Sequence, residues 1–378
     1  MSFQSLRRWL CLAVLSATLF GCDSTSSSTV DDTTTTTAAQ AVMFVASNNS
    51  GANTILSYSR NDSGTLTFLA ETATGGSGSG VDAPSGGNSI VYDPSTDLLY
   101  AVNSGSNSIS LFLVETDGSL VLLDVVNSGG ANPVSLAVNY NVVYVLNAGT
   151  ATTPANIKGF LVSSGQLTEL SNSVANLSVA VPEVSQIQFA PAGTVLTVTE
   201  ASTGLISNFT LDSTLANPVL VTNTSPGTTP SAFDYTPGGI LLVAERFAQA
   251  ANAGAVSSYN VGGSGLATAL TSSLATGQTG SNSVKILSGG TFAAVTNSGT
   301  GNVSVASIAS AGTLTLTSEV ETTGDSPTEM AVSADEQFLY VLNSGDDSIS
   351  IYSYSAGILT PITTLTGLPL AARGITGR

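Results

Sequence analysis

A short apolar run with the same ending recurs seven times along this chain, and its spacing restricts the fold more than any other feature. The run ends at Ser47, Asn103, Asn147, Glu200, Glu245, Asn297 and Asn343, with gaps of 56, 44, 53, 45, 52 and 46 residues. The clearest unit reads FLYVLNSGDDSISIYSYSAGILTPITTL over 338–365. Two others are LLYAVNSGSNSISLFLVETDGSLVLLDVVNSGGANPVSLAVN (98–139) and FAAVTNSGTGNVSVASIASAGTLTLTSEVETTGDSPTEMAVS (292–333). Each holds an apolar run, an Asn/Ser/Gly turn, an alternating strand, a Gly-Xaa-Leu strand and a Gly/Pro loop. Period-two alternation broken by turn residues roughly every 8–12 positions is the mark of strands. Units of about 40–50 residues with four strands each are propeller blades. The expectation is an all-β, seven-bladed β-propeller of four-stranded antiparallel blades.

With strands lettered a to d from the axis outwards, the recurrent run is strand b. Strand a is the apolar run before it, at 88–93, 134–139, 185–190, 231–236, 283–288 and 328–333. That makes six. The repeating part opens on a strand b (Ala41 to Ser47), and LAARGITG (370–377) supplies a seventh strand a. The ring is therefore expected to close through the C-terminal strand, pairing two sheet edges that would otherwise invite aggregation.

Composition narrows function. The formal charge is −17, with eight basic residues against 25 acidic ones. Nucleic acid is excluded as a partner, because phosphate binding needs a basic footprint. Histidine is absent and the two cysteines are Cys11 and Cys22, so the body has no disulfide, thiol nucleophile or Cys/His metal site. No cofactor is expected, and a monomer is. The acidic pairs Asp31-Asp32, Asp335-Glu336 and Asp346-Asp347 lack the ligand spacing of a calcium loop and read as turn residues. The Gly-Gly pairs precede no helix, so no phosphate-cradling loop is present.

The N-terminus reads as an address and an anchor. Arg7-Arg8 is a positive n-region, and WLCLAVLSATLF (9–20) has the length of a signal-peptide core, too short to span a bilayer. Leu19-Phe20-Gly21-Cys22 resembles the lipobox of bacterial lipoproteins, which implies cleavage before Cys22 and lipidation of its thiol. Asp23 is of the residue type that marks inner-membrane retention in enteric bacteria. Residues 23–40, DSTSSSTVDDTTTTTAAQ, have too little apolar content to bury a core and read as a disordered tether. The expected organisation is signal peptide 1–21, lipidated cysteine and tether 22–40, and propeller 41–378. The protein should be anchored in the cell envelope, facing periplasm or exterior.

The Tyr-Val-Leu-Asn and Tyr-Ala-Val-Asn runs resemble the YVTN repeats. The whole of 41–378 resembles the seven-bladed lactonase-like propellers related to 6-phosphogluconolactonase. That resemblance implies the fold, and it raises lactone hydrolysis as an activity. Lactonase-family enzymes typically place a histidine in the funnel, and this chain has none to match it.

Antiparallel strands bring the b–c and d–a loops to one face, where a propeller usually carries its site. Charged residues expected near that face are Glu183, Glu200, Glu245, Arg246, Lys285, Glu329 and Arg373. Glu200 and Glu245 hold the position that asparagine holds in four other blades. The long b–c connections, 149–156 and 246–254, are placed to wall a pocket. The asparagines themselves are expected to bond their own backbone in left-handed turns. Two functions fit. One is a tethered propeller binding a protein partner or small polar ligand, with Arg246, Glu245 and Glu200 contributing most. The other is a lactonase, with Glu200 or Glu245 as base and Arg246 or Arg373 as electrophile.

Overall fold

The computed structural model describes residues 39–80 and 87–378. The expected export signal, Cys22 and all but the last two positions of the expected tether lie outside the described residues. Seven sheets follow one another, each in the order a-b-c-d. The inner strands are Ile90–Asp93, Pro133–Asn139, Val184–Phe189, Pro230–Tyr235, Ser281–Leu287, Pro327–Val332 and Arg373–Gly377. Arg373–Gly377 pairs antiparallel with Val42–Ala46, Phe44 opposite Thr376 and Val45 opposite Ile375. Blade 1 is thus assembled from both ends of the repeat region. Blade 3 departs from the pattern, because its outer strand is split into Gln166–Glu169 and Ala175–Asn176. The Ser173 hydroxyl fills the break, accepting from Gly159 N–H and donating to its carbonyl.

Strand b lies between neighbouring strands and between neighbouring blades, so every residue of Val142–Asn147 and Phe338–Asn343 is buried. The tyrosine of the Tyr-Val-Leu-Asn run staples one blade to the next. Tyr144 donates to the Leu215 carbonyl at 2.8 Å and Tyr340 to the Gly64 carbonyl at 2.9 Å, each acceptor lying in the c–d turn of the following blade. Gly64 has φ +83°, and a Cβ there would stand 2.4 Å from the Phe338 ring; glycine satisfies both constraints. Burying Phe338 against that turn contributes about 1.5–3 kcal/mol.

The asparagines closing strand b bond chiefly across to strand c rather than within their own turn; only Asn297 among them also reaches a carbonyl of its own strand, that of Val295 at 3.4 Å. Asn103 has φ −122°, and its amide donates to Ser108 and Ser110 on strand c at 3.2 and 2.8 Å. Asn297 and Asn343 reach Ser304 and Ser350 in the same way. The left-handed positions fall later in the turn, at Asn48, Asn107 and Asp347. A buried amide gains more from neighbouring hydroxyls than from its own turn, because unpaired polar groups in this core would be costly.

Chain direction sets the faces. The b–c and d–a loops share one end of the ring. The a–b and c–d turns share the other, together with Gln40 and Arg378, whose side chain bonds the Gln40 and Glu115 carbonyls at 3.0 Å.

Candidate functional site

Near the funnel end, strand a loses register with strand b in blade 1 and in blades 3 to 7, for example between Pro230 and Phe233 and between Pro327 and Glu329. Each slip leaves backbone groups without a ladder partner, and buried groups of that kind need one. Side chains from adjoining blades supply it. Ser135 donates to the Gly87 carbonyl at 2.7 Å and accepts from Ile187 N–H at 3.0 Å. Gln186 both donates to and accepts from the Phe233 backbone. Ser231 donates to Asn282, and Asn282 to the Thr328 carbonyl, both at 3.1 Å. Glu329 accepts from Asn88 N–H at 3.0 Å and from Gly374 N–H. A polar belt circles the axis at the throat of the funnel.

Beneath it lies a cavity of about 320 Å³ bordered by Asn88, Gln188, Lys285, Glu329, Ile375 and other strand-a residues. The strand-a level that borders it is lopsided around the ring. Opposite the position three residues before the end of strand b stand Gln188, Asp234 and Lys285 in blades 4 to 6. The same level carries Ala331, Thr376, Val91 and Ala137 in the remaining blades. Asp234 accepts from Gln188 at 3.2 Å and Ile286 N–H at 3.0 Å, and lies 3.6 Å from the Lys285 ammonium.

Electrostatics single out three groups. Burial pushes the Glu329 carboxyl up to about 7, against the opposing pull of the Asn88 and Gly374 N–H groups and of Lys285 and Arg373. Burial lowers Arg373, with Glu329 and then Asp347 opposing. Arg246 is lowered by burial and supported by Glu183. The Nε atoms of Arg246 and Arg373 are buried with no hydrogen-bond partner among the described residues. No carboxylate there comes within ion-pair distance of either guanidinium.

The expected site residues therefore fall into three groups. Lys285, Glu329 and Arg373 converge on the throat. Glu183 and Arg246 stand together at the funnel face between blades 4 and 5. Glu200 and Glu245 are fully buried within their blades and do not line the cavity. Glu200 accepts from Ser178, Thr203 and Ser207. Glu245 accepts from Ser225, Gly227 N–H, Ser257 and Ser273 at 2.6–3.1 Å. Among the described residues no cluster of three acids could hold a metal.

Sequence reasoning missed Asn88, Gln186, Gln188 and Asp234. The last two lie inside strand-a segments that were recognised, at the level of Lys285, and a blade-by-blade register would have found them. Asn88 heads the segment 88–93 read above as strand a, two residues before the observed Ile90–Asp93, and the same register would have placed it at the throat.

The family model described as lactonase, 7-bladed beta-propeller, matches residues 35–181 and 255–366. The unmatched stretch between them holds Glu183, Glu200, Glu245 and Arg246. Among solved structures, a 6-phosphogluconolactonase candidate from Bacteroides fragilis is 17% identical, with TM-score 0.72, covering 93% of this chain and 100% of its own. A similar candidate from Bacteroides uniformis is also 17% identical, with TM-score 0.72 and coverage of 88% and 99%. The periplasmic gluconolactonase of Pseudomonas aeruginosa is 17% identical, with TM-score 0.70 and coverage of 88% and 98%. At these identities the likeness is one of fold. No curated protein sequence matches the chain.

Proposed function

Because the chain belongs to the lactonase family of seven-bladed β-propellers, we propose that it is a lipid-anchored envelope protein whose funnel binds a small polar anion. The observation carrying this reading is the pair of half-buried guanidinium groups, Arg246 and Arg373, whose Nε atoms lack partners among the described residues. Desolvated guanidinium is costly to leave unmatched, and its planar fork suits a carboxylate or phosphate. Glu200 and Glu245 drop out of this site, since hydroxyl and amide donors already fill them. The lipid anchor rests on the Leu-Phe-Gly-Cys motif and predicts an acylated Cys22 in the mass spectrum of the mature protein. Calorimetric titration with aldonates, dicarboxylates and sugar phosphates tests the funnel. Binding of at least one anion is expected, weakened about ten- to a hundredfold by Arg246→Ala or Arg373→Ala. No heat with any anion, or full affinity in both variants, would sink the reading.

Lactone hydrolysis is the second reading, and Glu329 favours it. A carboxyl that titrates near neutral pH beside Lys285 and Arg373 is suited to activate water while the cations hold the developing oxyanion. Gluconolactonase is the activity named for the Pseudomonas aeruginosa neighbour, so an aldonolactone is the substrate to try. Turnover should rise as pH increases through about 7 and vanish in Glu329→Gln. A flat profile, or full activity in that variant, removes this reading.

A further inference from the structure

The outer edges of blades 1 and 2 present apolar side chains to solvent. Phe68 and Leu69 in Leu66–Ala73, and Val121, Leu122, Leu123 and Val125 in Leu120–Asn127, are 37–54% exposed. The outer strands of blades 4, 6 and 7 expose one large apolar residue each: Val219, Val320 and Ile358. The two edges are continuous. A Cβ on Gly118, in blade 2, would lie 3.4 Å from Leu69 Cδ1. One on Gly75, at the end of blade 1, would lie 3.0 Å from Val125 and 3.5 Å from Leu122. Contiguous apolar surface of this kind marks a contact surface.

The chain enters the body at the foot of this patch. Gln40 N–H donates to the Thr116 carbonyl at 2.8 Å, in the turn that leads into Leu120–Asn127. Cys22 lies eighteen residues upstream of Gln40, a reach of at most about 65 Å. We propose that this edge rests on the bilayer to which Cys22 is anchored. The inference builds on the lipid-anchor reading above. A tethered body meets its own membrane at high effective concentration, so a modest apolar contact suffices. Phe and Leu are side chains that settle at the headgroup boundary. Glu71, Asp124, Glu115 and Asp117 border the patch and would be repelled by anionic headgroups. The surface it fits is therefore zwitterionic. The funnel loops lie at the end of the ring opposite Gln40 and remain open.

The test uses the mature acylated protein, cleaved before Cys22, in phosphatidylcholine vesicles, with an environment-sensitive fluorophore on Leu122→Cys or, on blade 5, Leu266→Cys. Acylation blocks the Cys22 thiol, so the label goes to one site. The expected result is a blue shift on vesicles at position 122 and none at 266, with the shift reduced in phosphatidylglycerol vesicles. Equal behaviour of the two probes overturns the docking, and an undiminished shift on anionic vesicles overturns the lipid assignment. A shift at 122 that grows with protein concentration without vesicles assigns the patch to a second copy instead. An acylated protein that shows no shift sinks this inference alone. A mature chain without acylated Cys22 sinks it together with the anchor.

Discussion

Blades 2, 3, 6 and 7 close strand b with asparagine, and blades 4 and 5 close it with glutamate. In five of these six blades a strand-c serine serves the position, opposite the residue two before the anchor: Ser110, Ser207, Ser257, Ser304 and Ser350. The difference is the direction of the hydrogen bond. Asn103, Asn297 and Asn343 donate to their serines, whereas Glu200 and Glu245 accept from theirs. A hydroxyl can turn either way, so the hub tolerates an amide or an acid. Charge at a repeated hub therefore says little about chemistry. Charge on strand a, where the repeat faces the axis, says more.

The largest expected effect tests whether the glutamate hubs are structural. Glu245→Leu would strand three serine hydroxyls and the Gly227 N–H inside blade 5. Unfolding in urea should show a loss of at least about 3 kcal/mol. A loss under about 1 kcal/mol would free this carboxylate for a ligand role and erase the distinction between hub and throat.

Glu329 is the contrasting acid, short of donors and raised from 4.5 to about 7 by burial. Its neutral form is favoured in the folded state, so its contribution to stability is fully present below about 4.5 and is lost as pH rises through about 7. Glu329→Gln keeps the shape without the charge. The variant should match the parent at pH 4 and exceed it by about 1–3 kcal/mol at pH 8, read as melting temperature against pH. Identical profiles would mean that the throat carboxyl is solvated, and its case as a base would fail.

The fold was legible because each blade writes the same turn and strand chemistry, down to the closing LAARGITG, whose Ile375 and Thr376 face Val45 and Phe44. Lys285, Glu329 and Arg373 were legible as neighbours at the throat because strand a was located to within three residues and basic residues are scarce. Whether an anchor side chain points at the axis or into the blade is a question of strand parity, which a one-residue slip reverses; Glu200 and Glu245 point inwards. The belt was hidden for a related reason. Gln186 and Ser135 act at register slips, and a slip depends on how neighbouring blades press together rather than on local residue preference.

The smallest effect separates charge from shape at the same hub. In Glu245→Gln, the remaining oxygen can keep Ser225, Gly227 N–H and Ser257, all of which bond Oε1. The new amide then donates to Ser273, which has only to turn its hydroxyl. At Glu200 the donors divide evenly: Ser178 N–H and Ser207 on Oε1, Ser178 Oγ and Thr203 on Oε2. There two hydroxyls must reverse. Exchanging a charge-assisted bond for a neutral one costs about 1 kcal/mol, so Glu245→Gln should lie within about 1 kcal/mol of the parent and Glu200→Gln slightly below it. Urea midpoints at constant slope would resolve that order. A Glu245→Gln variant as unstable as Glu245→Leu would show that the hub needs the charge itself, and blades 4 and 5 would then differ from their asparagine counterparts in kind rather than in hydrogen-bond direction.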